Sequence, residues 1–178
     1  SAPFSGGQGV YLRCLSQALM QLGHQVTVIS GPPYPHLVEG VELVQLPSLD
    51  LYSRDLWSVT RAELGDRLGR KEWLSKLSGG FAEPETFGER ARDWLLDHAD
   101  KFDVVHDNQT LADGILDLQR AGLPVVTTIH HPITRDLRVA LAGESRWWWR
   151  LMIRRWHGFL GRQSRVAGRL RHIVTVSR

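Results

Sequence analysis

The chain has 178 residues, 42% of them hydrophobic, with a formal net charge of +3, enough to bury the core of one domain. Its single cysteine, Cys14, excludes an internal disulfide framework, and no run approaches the roughly 18 apolar residues of a membrane span. No secretory signal opens the sequence, so the expected location is cytoplasmic.

The charge is unevenly spread. Residues 135–178 carry 11 arginines against 2 acids, whereas the remainder carries 11 basic and 17 acidic residues. That asymmetry predicts an anionic partner for the last quarter, be it a membrane surface, nucleic acid or a phosphorylated substrate.

Three glycines within Gly6-Gly7-Gln8-Gly9 precede a segment in which Tyr11, Cys14, Leu15, Ala18, Leu19 and Leu22 recur at helical spacing before Gly23 stops it. A glycine turn feeding a helix lets a ligand approach the backbone, and the helix start offers unpaired N–H groups to an anion. Gly6, Gly7, Gln8 and Gly9 are therefore candidates for holding phosphate. A dinucleotide fingerprint would place a third glycine where Leu12 stands, with an acid about 20 residues on, yet the next strand runs out at Ser30-Gly31-Pro32. NAD is disfavoured, and no Gly-x-x-x-x-Gly-Lys-Ser/Thr loop exists to make a P-loop NTPase. Cys14, on the helical face, is expected to pack rather than react.

Ser1-Ala2-Pro3-Phe4 reads as the end of a strand and the loop after it, with the rest of that strand missing. After the first helix, Gln25 to Ser30 is a β-branched, nearly continuous apolar run, expected to be a strand covered on both faces. Val41 to Leu46 alternates more and suggests a strand nearer the sheet edge. Between Ser48 and Pro84 the pattern weakens: Asp55 to Leu68 and Lys71 to Leu77 are predicted short helices, ended by Ser78-Gly79-Gly80, with Trp57 and Trp73 as packing residues. A clearer helix is expected from Glu85 to His98.

Phe102 to His106 is the next predicted strand, followed by the polar cluster Asp107-Asn108-Gln109-Thr110. Leu111 to Ala121 reads as a helix, Val125 to Ile129 is the most strand-like run, and it ends in His130-His131-Pro132. Strands alternating with helices call for an α/β fold, a Rossmann-like parallel sheet with helices on both faces, whose ligands gather at the carboxyl ends of the strands. The glycine turn, Asp107-Asn108-Gln109 and His130-His131 all fall there. From position alone, Asp107, Asn108, Gln109 and His131 are candidate ligand contacts.

Further on, about 100° per residue from Trp149 gathers Trp149, Met152, Ile153, Trp156, Phe159, Leu160 and Ala167 on one arc. Arg150, Arg154, Arg155, Arg162, Arg165 and Arg169 oppose them. An amphipathic helix over 146–169 is predicted, weakened by Gly158 and Gly161, with Trp147 and Leu151 falling among the arginines. Such a helix either packs its apolar face on the sheet with a solvated arginine face, or sets Trp147, Arg150, Leu151, Arg154 and Arg155 against an anionic membrane surface. Nucleic acid is not expected, since no stacking module or groove-reading motif is visible. The chain closes on the strand-like Ile173-Val174-Thr175-Val176-Ser177.

The order of these motifs, Gly6-Gly7-Gln8-Gly9 with its helix, Gly23 to Val28, Phe102 to His106, Val125 to His130 and Ile173 to Ser177, resembles the amino-terminal half of a retaining glycosyltransferase of family 4. That resemblance spans nearly the whole chain and implies a two-domain GT-B fold, of which 1–178 would be the acceptor-side domain. It implies transfer of a sugar from a nucleotide-diphosphate donor to an acceptor with retained configuration, with the nucleotide sugar as co-substrate and neither cofactor nor obligatory metal.

Gly7, Gln8 and Gly9 match the family's glycine loop, whose amides face the donor phosphates. His130 matches the family's histidine beside the transferred sugar and is the candidate catalytic residue, with Asp107, Asn108, Gln109 and His131 as candidate acceptor contacts. The resemblance also implies that a first strand and a carboxyl-terminal donor domain lie outside the sequence, leaving 1–178 inactive alone. Two other classes remain open at this point: a non-catalytic membrane- or partner-docking module working through 146–169, and a sugar-nucleotide epimerase, for which only Asp107 offers a strand-end carboxylate.

Overall fold

The computed structural model describes residues 7–131 and 133–176. The expectations for Ser1 to Gly6 and for Ser177 lie outside the described residues.

Helix α1 spans Gly7–Gln21 and delivers the chain to β1, Thr27–Ser30, which pairs in parallel with β2, Glu42–Gln45. Helices α2, Arg67–Leu77, and α3, Glu83–Asp97, follow. Strand β3, Val105–Asn108, helix α4, Asp113–Arg120, and strand β4, Val125–Ile129, form a parallel crossover. Then come α5, Ile133–Ala142, α6, Trp147–Trp156, α7, Leu160–Ala167, and β5, Ile173–Thr175, which pairs with β4. The strand orders are β1-β2 and β3-β4-β5, all parallel, as the α/β expectation requires. No helix among the described residues is long and apolar enough to cross a membrane.

One core serves both sheets. Leu95, Ile115, Leu118 and Val125 are buried together, and Ile29 of β1 packs against them with Trp94, Phe102 and Val105. A second cluster of Leu111, Leu116 and Val166 brings α7 against β4 through Ile129. Helices α3 and α4 cross at Gly88 and Gly114, where a Cβ on either would strike the other helix's neighbourhood: Ala112 for Gly88, the Gly88 carbonyl for Gly114. Two side-chain-free positions let these backbones touch.

Several expectations need correction. The glycine turn is already helix, so Gly7, Gln8 and Gly9 form the first turn of α1. Its covered arc is Leu12, Leu15, Ser16 and Leu19, with Ser16 only 1% exposed, while Cys14, Ala18 and Leu22 face outward. Apolar residues extend more than halfway round α1, so periodicity alone does not single out the covered side.

No helix forms over Asp55 to Leu68. Instead, 3-10 turns at Leu56–Ser58 and Glu63–Gly65 lead to α2. The Glu63 carboxylate accepts from the Thr60 N–H and hydroxyl and from Arg54, local bonds that compete with a helix, and Asp66 caps α2 by accepting from Gly69 N at 2.9 Å. Trp57 is 81% exposed rather than packed, whereas Trp73 donates its indole N–H to Leu56 O.

The basic segment is not one helix. A 3-10 turn at His157–Phe159 separates α6 from α7. Most of its arginines have intramolecular work: Arg162 pairs with Glu85 at 2.5 Å, Arg165 with Asp113 at 3.0 Å, and Arg155 donates to Ser78. Arg150 donates to the Leu141 and Glu144 carbonyls at the α5–α6 turn. Part of the anionic partner of this basic quarter is thus the acidic remainder of the same chain.

Candidate functional site

Strand β3 ends three residues later than its apolar run, because Asp107 and Asn108 are its last residues rather than a loop. The Asp107 carboxylate is only 4% exposed and accepts from the Thr110 and Leu111 N–H groups at 3.0 and 3.3 Å. Those bonds hold a turn in which Gln109 and Leu111 take left-handed backbones, φ 61° and 52°. Burial pushes the Asp107 carboxyl above its ordinary value, against the lowering effect of those N–H groups. Expected at the acceptor, Asp107 is instead turned inward to build the turn, which also removes the one carboxylate an epimerase would need.

Gln109, likewise expected at the acceptor, is buried and crosses to the loop after β4. Its Oε1 accepts from the His130 N–H at 2.7 Å and the His131 N–H at 3.4 Å, and its Nε2 donates to the His131 carbonyl at 2.9 Å. Asn108 meets the His130 ring itself, Oδ1 to Nε2 at 2.6 Å. His131 points its own ring outward, where Nε2 lies 3.2 Å from Asp136 of α5.

Helix α1 reaches the same place through Tyr11. Tyr11, two residues beyond Gly9, lies edge-on to His130 with ring centroids 4.6 Å apart and planes at 81°. Its hydroxyl shares a hydrogen bond with Thr128 Oγ1 at 3.1 Å, and His106 Nε2 meets the same Oγ1 at 2.8 Å. Burial holds the His106 imidazole below its ordinary value, Asp107 opposes that and His130 adds to it. Tyr11, His106 and Thr128 were not singled out by the sequence, yet the signal existed: His106 and Asn108 stand two apart in a strand and so share a face.

Gly7, Gln8 and Gly9 open the helix that carries Tyr11 to His130, and Gln8 and Gly9 are exposed. A Cβ built on Gly9 would meet nothing within 4 Å, so that position is open to an approaching ligand. Gly6 lies outside the described residues. The arrangement offers helix-start N–H groups for an anion on the helix whose Tyr11 meets an imidazole fixed by main-chain and side-chain bonds.

This order of parts agrees with a family model, Glycosyltransferase Family 4, that matches residues 5–178. The chain belongs to glycosyltransferase family 4. It is also 47% identical over 175 residues to the MMP alpha-(1->4)-mannosyltransferase of Mycolicibacterium hassiacum. That match covers 97% of this chain and 42% of the relative, so the chain spans less than half the relative's length. The parallel sheets flanked by helices are those of a Rossmann-like half of the family's GT-B fold.

Proposed function

We propose that this chain is the acceptor-side half of a retaining mannosyltransferase, which moves a mannosyl group from a nucleotide-diphosphate donor to a sugar hydroxyl. The observation that carries the reading is the contact of Tyr11 with His130, which brings α1 to the imidazole at the end of β4. Mannose and an α-(1→4) linkage come from the name of the 47% identical relative.

The chemistry suits these residues. As the diphosphate leaves, negative charge grows on its oxygens, and the N–H groups of Gly7, Gln8 and Gly9 together with the helix dipole oppose that charge where it develops. His130 touches the transferred sugar, while Asn108 and His131 border the acceptor. Asp107 and Gln109 act from beneath by shaping the turn and loop. The nucleotide sugar is a co-substrate and no metal is required.

The test is mannosyl transfer by the complete gene product and its His130→Ala variant. Loss of about 10²-fold or more in kcat supports the reading, and unchanged transfer overturns it.

A second reading concerns where the enzyme works. Trp147 and Leu151 of α6 are 76% and 58% exposed, and Arg154 is exposed with no ion pair among the described residues. This face favours peripheral contact with an anionic membrane on the cytoplasmic side, with Arg150 and Arg155 excluded because both are engaged within the fold.

A further inference from the structure

His130 is held at three points, two of them on its ring, that the glycosyl-transfer chemistry does not by itself explain. Gln109 Oε1 takes its main-chain N–H, the Tyr11 ring bounds it edge-on, and Asn108 Oδ1 lies 2.6 Å from Nε2. The Gln109 carboxamide has no choice of orientation, since its oxygen faces N–H donors and its nitrogen a carbonyl. The loop is thereby fixed before the ring's own protons are considered. Nδ1 of His130 has no hydrogen-bond partner among the described residues.

We propose that Asn108 is a positioning residue: its carbonyl oxygen holds His130 in the Nε2–H tautomer, so that Nδ1 carries the lone pair and is the nitrogen presented to ligand. A carbonyl oxygen accepts and cannot donate, so the proton of a neutral ring must reside on Nε2. His106, the other imidazole of the cluster, is engaged by Thr128 and stays neutral near pH 7, adding no charge. The only carboxylate beside the cluster from β3 is Asp107, which is buried and committed to Thr110 and Leu111. Asp136 of α5 faces His131, not His130.

With Nδ1 as acceptor, His130 takes a hydrogen bond from a hydroxyl of the sugar. This last step rests on the glycosyl-transfer reading, whereas the tautomer does not.

The experiment is two-bond ¹H–¹⁵N correlation of the histidine rings in the ¹⁵N-labelled 178-residue chain at pH 8. The expected result is a protonated Nε2 and a bare Nδ1 at His130. Asn108→Leu, which removes the acceptor, is expected to release the ring to a mixture of tautomers. Asn108→Asp keeps an acceptor and keeps the Nε2–H form.

A wild-type spectrum with the proton on Nδ1, or an Asn108→Leu spectrum identical to wild type, overturns the proposal. Should Asn108→Leu not fold, the wild-type and Asn108→Asp spectra decide alone. In the complete gene product, Asn108→Leu is expected to lower kcat by up to about 10²-fold, with partial rescue by Asn108→Asp. A packing role alone gives no such rescue. If the wild type transfers no sugar while the tautomer is as stated, the functional reading fails and the positioning assignment stands.

Discussion

Gln109 Oε1 accepts the His130 main-chain N–H at 2.7 Å from a residue whose own backbone is left-handed, φ 61°. One side chain thus ties the end of β3 to the loop after β4. Replacing Gln109 by Ala strands the His130 and His131 N–H groups and the His131 carbonyl, and leaves the positive φ in place. At about 1–3 kcal/mol for an unsatisfied buried group, a net loss of about 2–3 kcal/mol in unfolding free energy is expected. Chemical denaturation gives the total, and faster hydrogen exchange confined to 130–131 identifies the loop as the part released.

Glu72 is 1% exposed and holds three elements at once. It accepts from Leu49 N at 2.8 Å, from Thr86 Oγ1 at 2.6 Å and from Arg90 at 2.5 Å, and Arg90 also reaches Asp66 at 2.7 Å. Truncation to Ala leaves a largely covered guanidinium with only Asp66 and frees two buried donors. Breaking one side of such a buried pair costs about 3–5 kcal/mol. The expected result is a lower urea midpoint with an unchanged m-value, and Glu72→Gln, whose one carboxamide oxygen accepts from Leu49 N while its nitrogen donates to Thr86 Oγ1, recovers part of it.

His106 sets a pH dependence of stability. Because burial lowers its pKa below the ordinary 6.5, the unfolded chain binds this proton more readily than the fold does. The stability owed to the neutral ring is complete above pH 6.5 and falls as the pH drops from there through the lowered folded value. Asp107 contributes the opposite slope, since its folded pKa is raised, so the informative quantity is a difference between wild type and variant. His106→Gln keeps a partner for Thr128 Oγ1 without titrating. It is expected to flatten the midpoint-versus-pH curve below pH 6.5 by up to about 1.4 kcal/mol per pH unit.

What could be read in the sequence follows from where side chains find their partners. Val125 to Ile129 is a strand with the expected bounds because a β-branched run lies between Gly122-Leu123-Pro124 and the sequence His130-His131-Pro132. Strand β3 extends through Asp107 and Asn108 because Thr110, Leu111 and His130 satisfy their polar atoms, partners that lie outside the apolar pattern or, for His130, far along the chain, and so leave no mark in it. His130 and the strand-end cluster were visible as position. Tyr11 was not, since a tyrosine at helical spacing reads as core until its hydroxyl is seen on Thr128. The arginines of α7 read as a solvated face because Glu85 and Asp113, which pair with them, stand far back along the chain.

The exposed face of α6 yields the last prediction. With Arg150 and Arg155 spent inside the fold, Arg154 with Trp147 and Leu151 remain for a surface. A basic residue near anionic lipid contributes about 1 kcal/mol, and the effect fades within a Debye length as salt rises. Vesicles rich in an anionic phospholipid are therefore expected to sediment more of this protein at low salt than neutral vesicles. Arg154→Glu is expected to cut that excess by at least about 5-fold. Trp147→Ala tests the other half of the idea: its loss weakens binding at every salt concentration, because indole burial at the headgroup level does not depend on screening. Equal sedimentation with anionic and neutral vesicles at low salt would assign these side chains to another part of the complete protein or to solvent, and would leave the strand-end site unaffected.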